Sequence, residues 1–592
     1  MMYHSENCID QAGRSGGKTP LRLAEGKTHM IIDTDNFSWA VNQIKKHDLV
    51  FVDLETTGLE PFNGDKICGI AVMVGQDSMY FPFRHTIGGN LPMDYMAKLG
   101  PYLSDPQKTY VGHNYKFDLK FLHCAGIRLP EKILDTMIAA HLINEEEKSF
   151  GLKQLGDKLL GKGASDESNI LEDKLNLFGF KKSEMYRLPA SDVALYAEQD
   201  VKLTAKLLAL FQDLLSQEKN SDLFKEVCKF QLLITRMEIL GIHVDTDRVR
   251  QFMAEAKTQI NKVGLSIREM RGRNINPGSP QQVTEWLGTP DSKSRTLERL
   301  KTNRKECEAI LNYRAWSKVK NTYYSPFIQQ VDPDGNIHPT FRMTGTVSGR
   351  LSCSKPNLHA VPRKSDIYKV KNCIRARAGY VLSEIDYSQA EIRVGSHYAR
   401  ENKMLEMIRS GVDIHTQTAK EVGIDRFIAK TLNFSIIYGI GPMALAENLE
   451  ISEAEARTYL NKYNKKFPGF RRLLYNAQAA AETRGYIQMY TGRRRHFRGE
   501  DAPYHKAISY LIQGSAAEML RTSMCRIWDE LDRDVVRMVL TVHDSILFEI
   551  KEGYEKEIIP EILQIMNDQR WCSSPIKSDA DVGLYWGEMT PF

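Results

Sequence analysis

Long apolar runs are missing: nowhere in the 592 residues does one approach the roughly 20 that a membrane-crossing helix needs. The stretch from Met1 to Lys27 is polar and lacks the apolar core of a secretory signal, and its acidic residues weigh against an organelle-targeting leader. A cytoplasmic chain with a flexible tail over residues 1–28 and no membrane partner is therefore expected. Cysteine is sparse and dispersed. Its nine copies include no C-x-x-C pair, which excludes a disulfide framework and a zinc finger. No charge sign dominates either: 80 Lys and Arg against 75 Asp and Glu leave +5, too little to announce a polyanionic partner. Internal repeats and low-complexity tracts are absent, which excludes a solenoid.

What is present is length enough for about two to four hydrophobic cores. Between Met30 and Gln212, short β-type runs (Leu49–Leu54, Ile67–Val74, Met79–Phe83) precede helical periodicity at Phe117–Cys124, Leu134–Leu142 and Ser191–Leu214. This predicts an α/β domain. Residues 217–321 read as helical and charged, broken at Asn276-Pro277-Gly278-Ser279-Pro280, and the remainder again mixes strands with long helices. Short linkers predict modules that pack against each other. Two segments concentrate positive charge: GRRR at 492–495, and Arg363 to Arg377 with six basic residues against one acidic. Such clusters beside acidic segments suit a protein that grips phosphates, although each alone also fits a solvated surface.

The first acidic segment is FVDLETTG. In a strand, Asp53 and Glu55 point to one face, where they repel unless cations lie between them. Alone, the pair would be an ordinary polar strand end. GHNYKFDL adds Asp118 at a helix start, and YAEQD places Tyr196 and Asp200 on one helix face. Four carboxylates and a tyrosine supply what a two-metal phosphodiester hydrolase needs, with Tyr196 able to orient a water. The ordered set DxE, NxxFD and YxxxD resembles the proofreading exonuclease domain of DNA polymerases, and ribonuclease D-like exonucleases share much of it. The resemblance implies an active 3′→5′ exonuclease with two divalent metals on Asp53, Glu55, Asp118 and Asp200.

The second set begins with IDYSQAEIR, where Asp386 stands at a strand-to-helix transition. VVRMVLTVHDSILFEI predicts a β-hairpin with Asp544 at its tip. Between them, RFIAKTLNFSIIYG repeats Arg426, Lys430, Phe434 and Tyr438 every four residues, one drifting helical stripe. An amphipathic helix would part cations from aromatics; here both share one face. Arg426 and Lys430 can hold a triphosphate, and the two rings offer flat surfaces to a sugar and base.

This stripe, bracketed by IDYSQAEIR and VHDS, resembles the family A DNA polymerases from about Met237 to the C-terminus. The resemblance extends over TVSGRLSCSKPNLHAVP, Asp413-Ile414-His415, Gln513-Gly514 and Trp586-Gly587-Glu588-Met589. It implies that Asp386 and Asp544, with the Tyr387 carbonyl, hold two Mg²⁺ (or Mn²⁺), and that Arg426, Lys430 and His415 contact the dNTP. Lys430 would be the general acid for pyrophosphate. Gln389 and Glu391 would border the nucleotide, Glu391 excluding a ribose 2′-hydroxyl. Tyr438 would stack near the template base. Arg350, Asn357 and Gln513 would meet the primer–template minor groove, where shape is read without sequence. His543 would lie at the primer end, and Phe434 would discriminate against dideoxynucleotides.

The implied architecture is a ribonuclease H-like exonuclease domain (29–215) followed by a right hand (216–592). Within the hand, the expected thumb spans about 217–325, the palm 326–412 and 496–592, and the fingers 413–495. The chain departs from the family at Ser545, usually glutamate, and at His505 and Ser509, usually arginine and asparagine. The short stretch before Asp53 leaves no room for a 5′-nuclease domain, and with no long thumb insertion this leads us to expect a phage-type replicase. Primer–template DNA and dNTPs are the implied partners, with helicase, primase and single-strand-binding protein as further ones, and the chain is expected to be a monomer. The competing readings are an exonuclease whose C-terminal part only binds nucleic acid, and a DNA-binding scaffold. Both require Asp386 or Asp544 to be absent or idle, yet both aspartates are present.

Overall fold

The computed structural model describes residues 29–592 apart from 162, 164–165, 363–366, 368 and 500. The expected N-terminal tail, and Arg363 and Lys364 of the second basic segment, lie outside the described residues.

A six-stranded mixed sheet organises the N-terminal third: β1 (His29–Ile31), β2 (Leu49–Thr56), β3 (Ile67–Val74), β4 (Asp77–Pro82), β5 (Thr109–Gly112) and β6 (Ile133–Asp135), in the order β1-β4-β3-β2-β5-β6. Strands β2, β3 and β4 are antiparallel, while β5 and β6 continue parallel to β2. Every residue of β3 is buried, as a continuous apolar run demands when both faces of a sheet are covered. Helices α1 (Lys116–Cys124), α2 (Leu152–Leu159) and α3 (Ala190–Gln217) carry the segments of interest. The helix expected from Leu134 starts two residues later. Leu134 and Asp135 belong to β6, and the Asp135 carboxylate caps the helix Thr136–Ile143 by accepting from Met137 N at 2.8 Å.

Helix α4 (Ser221–Leu240) belongs to two cores at once. Leu223, Phe224, Val227 and Cys228 pack into the first, whereas Phe230, Leu233, Ile234 and Met237 pack into the second. A helix shared in this way ties the modules together, as the short linkers predicted. Beyond it, α5 (Thr246–Arg271) and α6 (Lys305–Val319) pack against each other around a small separate core. The predicted break falls between α5 and the helix Pro280–Leu287, which Ser279 caps and Pro280 opens.

A second sheet is wholly antiparallel: β7 (Tyr380–Tyr387), β8 (Val536–Val542), β9 (Ser545–Lys551), β10 (Ser578–Gly583) and β11 (Thr590–Pro591), in the order β8-β9-β7-β10-β11. The expected hairpin is β8–β9, and β7 lies beside it. Helices α7 (Ala390–Ala399), α8 (Ile414–Val422), α9 (Arg426–Ile437) and α10 (Ala507–Glu530) surround a further core of their own.

Charged groups seal the seam between the two halves. Glu238 of α4 is buried and accepts from Phe341 N at 2.6 Å; Lys116 and Lys120 of α1 pair with it, the latter at 3.1 Å. Here the reading of GRRR as a phosphate grip fails. Arg493 donates to Glu518 at 2.6 Å, Arg494 lies 3.5 Å from Glu218, and Arg495 donates to Glu145 at 2.9 Å and Glu146 at 2.7 Å. Arg495 is 2% exposed, so these cations neutralise protein carboxylates inside the seam. The described part of the second basic segment behaves alike: Lys369 pairs with Glu255, Lys371 with Glu384 and Arg377 with Glu549.

Candidate active sites

The first site is built on β2, α1 and α3. Pleating aims Asp53 and Glu55 to one side of the sheet, and α1 brings Asp118 beside them, where its Oδ1 accepts from Leu54 N at 3.1 Å. The turn before α1 is held by buried Asp135, which accepts from Asn114 N at 3.0 Å and Tyr115 N at 2.7 Å, with Asn114 in the left-handed region at φ 55°. One turn apart on α3, Tyr196 and Asp200 complete the set. Burial, opposed by Lys153 and Lys182, pushes the Asp53 carboxyl up to about 7. Burial and the neighbouring Asp53 charge raise Glu55 and Asp118 well above the carboxylate range. Glu55 Oε1 is buried with no hydrogen-bond partner.

Two lysines that the sequence reading passed over stand at this site. Lys153, at the start of α2, pairs with Asp200 and lies 4.7 Å from the Tyr196 ring centre. Lys182 donates to the Tyr196 hydroxyl at 3.2 Å. Neither belongs to an acidic motif, and only the packing of α2 and of the turn before α3 brings them in.

Buried, mutually repelling oxygen donors with an orphan Oε1 form a set that fits hard divalent cations. Among the described residues, however, no three such side chains converge as a ready-made cage. Asp200 is turned to Lys153 and Asp118 to Leu54 N, so cation entry would exchange these partners.

The second site lies where β7 meets the β8–β9 turn. Asp386 is opposite Ser545 on one side and Asp579 on the other. The hairpin tip turns through His543, at φ 56°, and Tyr387 N donates to the Asp544 carbonyl at 3.3 Å, which draws the two strand ends together. Asp386 is open to solvent at the floor of the cleft. Even so, the flanking protein first, then Asp544, Glu384 and Asp579, push its carboxyl up to about 6. Burial likewise raises Asp544, against the pull of Arg350. Oxygen donors of this kind fit Mg²⁺.

Helix α9 presents its stripe as expected. Ala429, Leu432, Asn433 and Ile437 are buried, Arg426 and Lys430 are exposed, and Phe434 and Tyr438 are half-buried, Tyr438 packing partly against the core. Arg426 forks onto Asp413 at 3.0 and 3.1 Å. His415 is buried and fixed by Asn433 at 3.0 Å, and burial lowers its pKa. Arg350 donates to Glu391 at 2.5 Å and stands 3.8 Å from Asp544, so in this state its guanidinium faces the carboxylates. Burial and the nearby Glu391 charge push Tyr438 up to about 12. Gln389, at φ 55°, makes the sharp turn into α7. Asn357 is exposed, Gln513 is half-buried on α10, and Ser509 precedes it by one turn with His505 exposed beyond.

Comparison with known proteins agrees with this geometry. A model of DNA polymerase family A matches residues 246–588, and one of a 3′-5′ exonuclease matches residues 28–216. DNA polymerase I of Pseudomonas aeruginosa is 26% identical over 98% of this chain and 68% of its own length. Those of Chloroflexus aurantiacus and Helicobacter pylori are 29% and 30% identical, over 93% and 88% of this chain and 62% and 60% of theirs. The chain thus spans about two thirds of the length of these relatives, all bacterial, and they lend no support to a phage-type replicase. The solved POL domain of Pol1 from M. smegmatis, in complex with DNA primer-template and dNTP, shares the fold. Its TM-score is 0.82 over 94% of this chain and 99% of that one, at 23% identity. With one model covering most of the C-terminal two thirds and the other the N-terminal third, the chain belongs to DNA polymerase family A and carries a 3′-5′ exonuclease domain.

Proposed function

We propose that the chain extends a DNA primer on a template from dNTPs at the Asp386–Asp544 site and removes mispaired 3′ ends at the Asp53 site. One observation carries the reading. The stripe of α9 is joined to the paired aspartates through Tyr438, Glu391, Arg350 and Asp544, side chains that act on one another across the cleft. A nucleotide held along the stripe would therefore point its α-phosphate toward Asp386 and Asp544.

Asp386, Asp544 and the Tyr387 carbonyl would hold divalent cations, which when bound would supply activation of the primer 3′-hydroxyl and neutralisation of triphosphate charge. Arg426 and His415 grip the phosphates, and Lys430 gives a proton to departing pyrophosphate. Phe434 and Tyr438 flank the sugar and base, with Gln389 and Glu391 beneath. Arg350 leaves its carboxylate partners to reach the minor groove with Asn357 and Gln513, and His543 meets the primer end. At the other site, Asp53, Glu55, Asp118 and Asp200 would hold two cations, which when bound would supply Lewis acidity for hydrolysis of the scissile phosphate, while Tyr196 orients the attacking water.

A 660 Å³ cavity at the seam, lined by Leu59, Phe62, Asn114, Phe117, Phe341 and Arg342, supports passage of a frayed single strand toward the hydrolytic site. On this reading residues 29–215 are the exonuclease domain, 217–325 the thumb, 326–412 with 496–592 the palm, and 413–495 the fingers. Synthesis with editing is the role common to replicative and repair polymerases.

The test is extension of a 5′-labelled primer–template with Mg²⁺, with and without dNTPs. Wild type should extend with dNTPs and degrade without them. Asp386→Ala should lose only extension and Asp53→Ala only degradation. Extension by Asp386→Ala, or none by wild type, would overturn the polymerase assignment.

A further inference from the structure

Ser545 stands where the family usually has glutamate, immediately after Asp544, and its surroundings show where the missing carboxylate has gone. Glu384 lies on β7 two residues before Asp386, so both side chains leave the same face of the strand. Ser545 faces Asp386 across the β7–β9 pairing, and its hydroxyl donates diagonally to Glu384 Oε1 at 3.1 Å. The other oxygen, Oε2, accepts from Trp586 Nε1 at 2.8 Å and from Lys371 Nζ at 3.4 Å. Lys371 in turn lies 4.0 Å from the centre of the Trp586 ring. Donors from three separate segments therefore converge on one carboxylate beside the cleft, the single Ser545 proton being shared with the Val542 carbonyl, also at 3.1 Å. They also give the C-terminal Trp586-Gly587-Glu588-Met589 motif a task, since Trp586 makes the shortest of the three contacts.

We propose that Glu384 is a positioning residue of the polymerase site, a carboxylate moved from the hairpin to the neighbouring strand, which strengthens cation capture by Asp386 and couples Asp386 to the Asp544 hairpin through Ser545. Glu384 shares a strand face with Asp386, and its hydrogen bond to Ser545 joins the strand of one aspartate to the turn of the other. A serine at 545 suits this arrangement, because a glutamate there would set two carboxylates against each other at hydrogen-bonding distance. The inference rests on the polymerase reading, so its test separates the two.

Mn²⁺ binding to the DNA-free protein carrying Asp53→Ala, thermal stability, and single-turnover dNTP incorporation are measured for otherwise wild-type residues, Glu384→Gln, Ser545→Glu, and the exchange Glu384→Ser with Ser545→Glu. Glu384→Gln should weaken Mn²⁺ binding about three- to tenfold and slow incorporation about tenfold, with dNTP KM little changed. Ser545→Glu alone should lower thermal stability. The exchange should restore binding and rate to within about threefold of the parent. Trp586→Phe, which keeps Glu384 but removes one donor, should weaken Mn²⁺ binding in the same direction and by less. If Glu384→Gln binds Mn²⁺ and incorporates as the parent does, the proposal falls. It also falls if the exchange fails to recover binding. A parent that binds Mn²⁺ yet never extends a primer would instead refute the polymerase reading.

Discussion

The Asp53 carboxyl, pushed up to about 7 by burial against the pull of Lys153 and Lys182, should make the metal-free protein sensitive to pH. Between the unfolded value near 4 and the folded value near 7, the folded state binds the extra proton, so stability falls as pH rises through that window. In EDTA, Asp53→Asn should match wild type at about pH 4 and exceed it by about 1–2 kcal/mol at pH 8. Urea unfolding at both values checks this, and a wild type more stable than the variant at pH 8 would refute it. The proposed polymerase activity makes a second residue-level expectation. Phe434 lacks a hydroxyl to stand in for a missing 3′-OH, so Phe434→Tyr should reduce discrimination between ddTTP and dTTP by about tenfold, the upper end of one hydrogen bond's net energy. Competitive incorporation with the exonuclease disabled reads it directly.

Helix α9 shows how an element turns a four-residue repeat into a surface. Its apolar side is fixed by Ala429, Leu432 and Ile437, and buried Asn433 bonds to His415 and to Tyr463 at 3.0 Å each. That anchorage fixes the orientation of the Arg426–Tyr438 side, which the proposed function assigns to the nucleotide. Lys430→Ala should lower the single-turnover rate about a hundredfold, the scale of a lost proton donor, while primer affinity changes little. At the end of the helix Gly439 has φ 65°, and a Cβ there would come within 2.9 Å of the His505 carbonyl. The stripe was legible because a helix maps spacing onto a face. Lys153 and Lys182 were not, because they reach the acids from α2 and from a separate turn. Equally, GRRR misled: local sequence records that three arginines adjoin, and says nothing of Glu145, Glu218 and Glu518 converging on them.

Across the whole molecule, the two sites share a seam that is charged as well as apolar. Removing Arg495 would leave buried Glu145 with His496 as its remaining partner and take the cation from half-buried Glu146, so Arg495→Met should cost about 3 kcal/mol, the low end for a broken buried pair. It should also speed hydrogen exchange in the helix Thr136–Ile143 and the strand Arg494–His496. His496 meets Glu145 at 2.9 Å, and although burial opposes it, the bonds to Glu145 and Glu218 raise its pKa. A raised histidine contributes its stability in full below the unfolded value of about 6.5 and loses it as pH rises through the folded value. The seam should therefore loosen on the alkaline side, and His496→Gln should remove that part of the pH dependence of exchange. An alkaline loosening unchanged in His496→Gln would show that another group is responsible.

By itself the sequence determined the two acidic sets, the strand-and-helix alternation around the first, the hairpin at Asp544 and the stripe of α9. Each of these depends on contacts a few residues apart, where strand and helix periods are set by backbone geometry. Only the tertiary structure decided that α4 serves two cores, that GRRR seals a seam, that Lys153 faces Asp200 and that Ser545 of the hairpin meets Glu384. Those outcomes join residues tens to hundreds of positions apart. Burial there makes charge pairing obligatory, and which partner meets each charge is a property of packing.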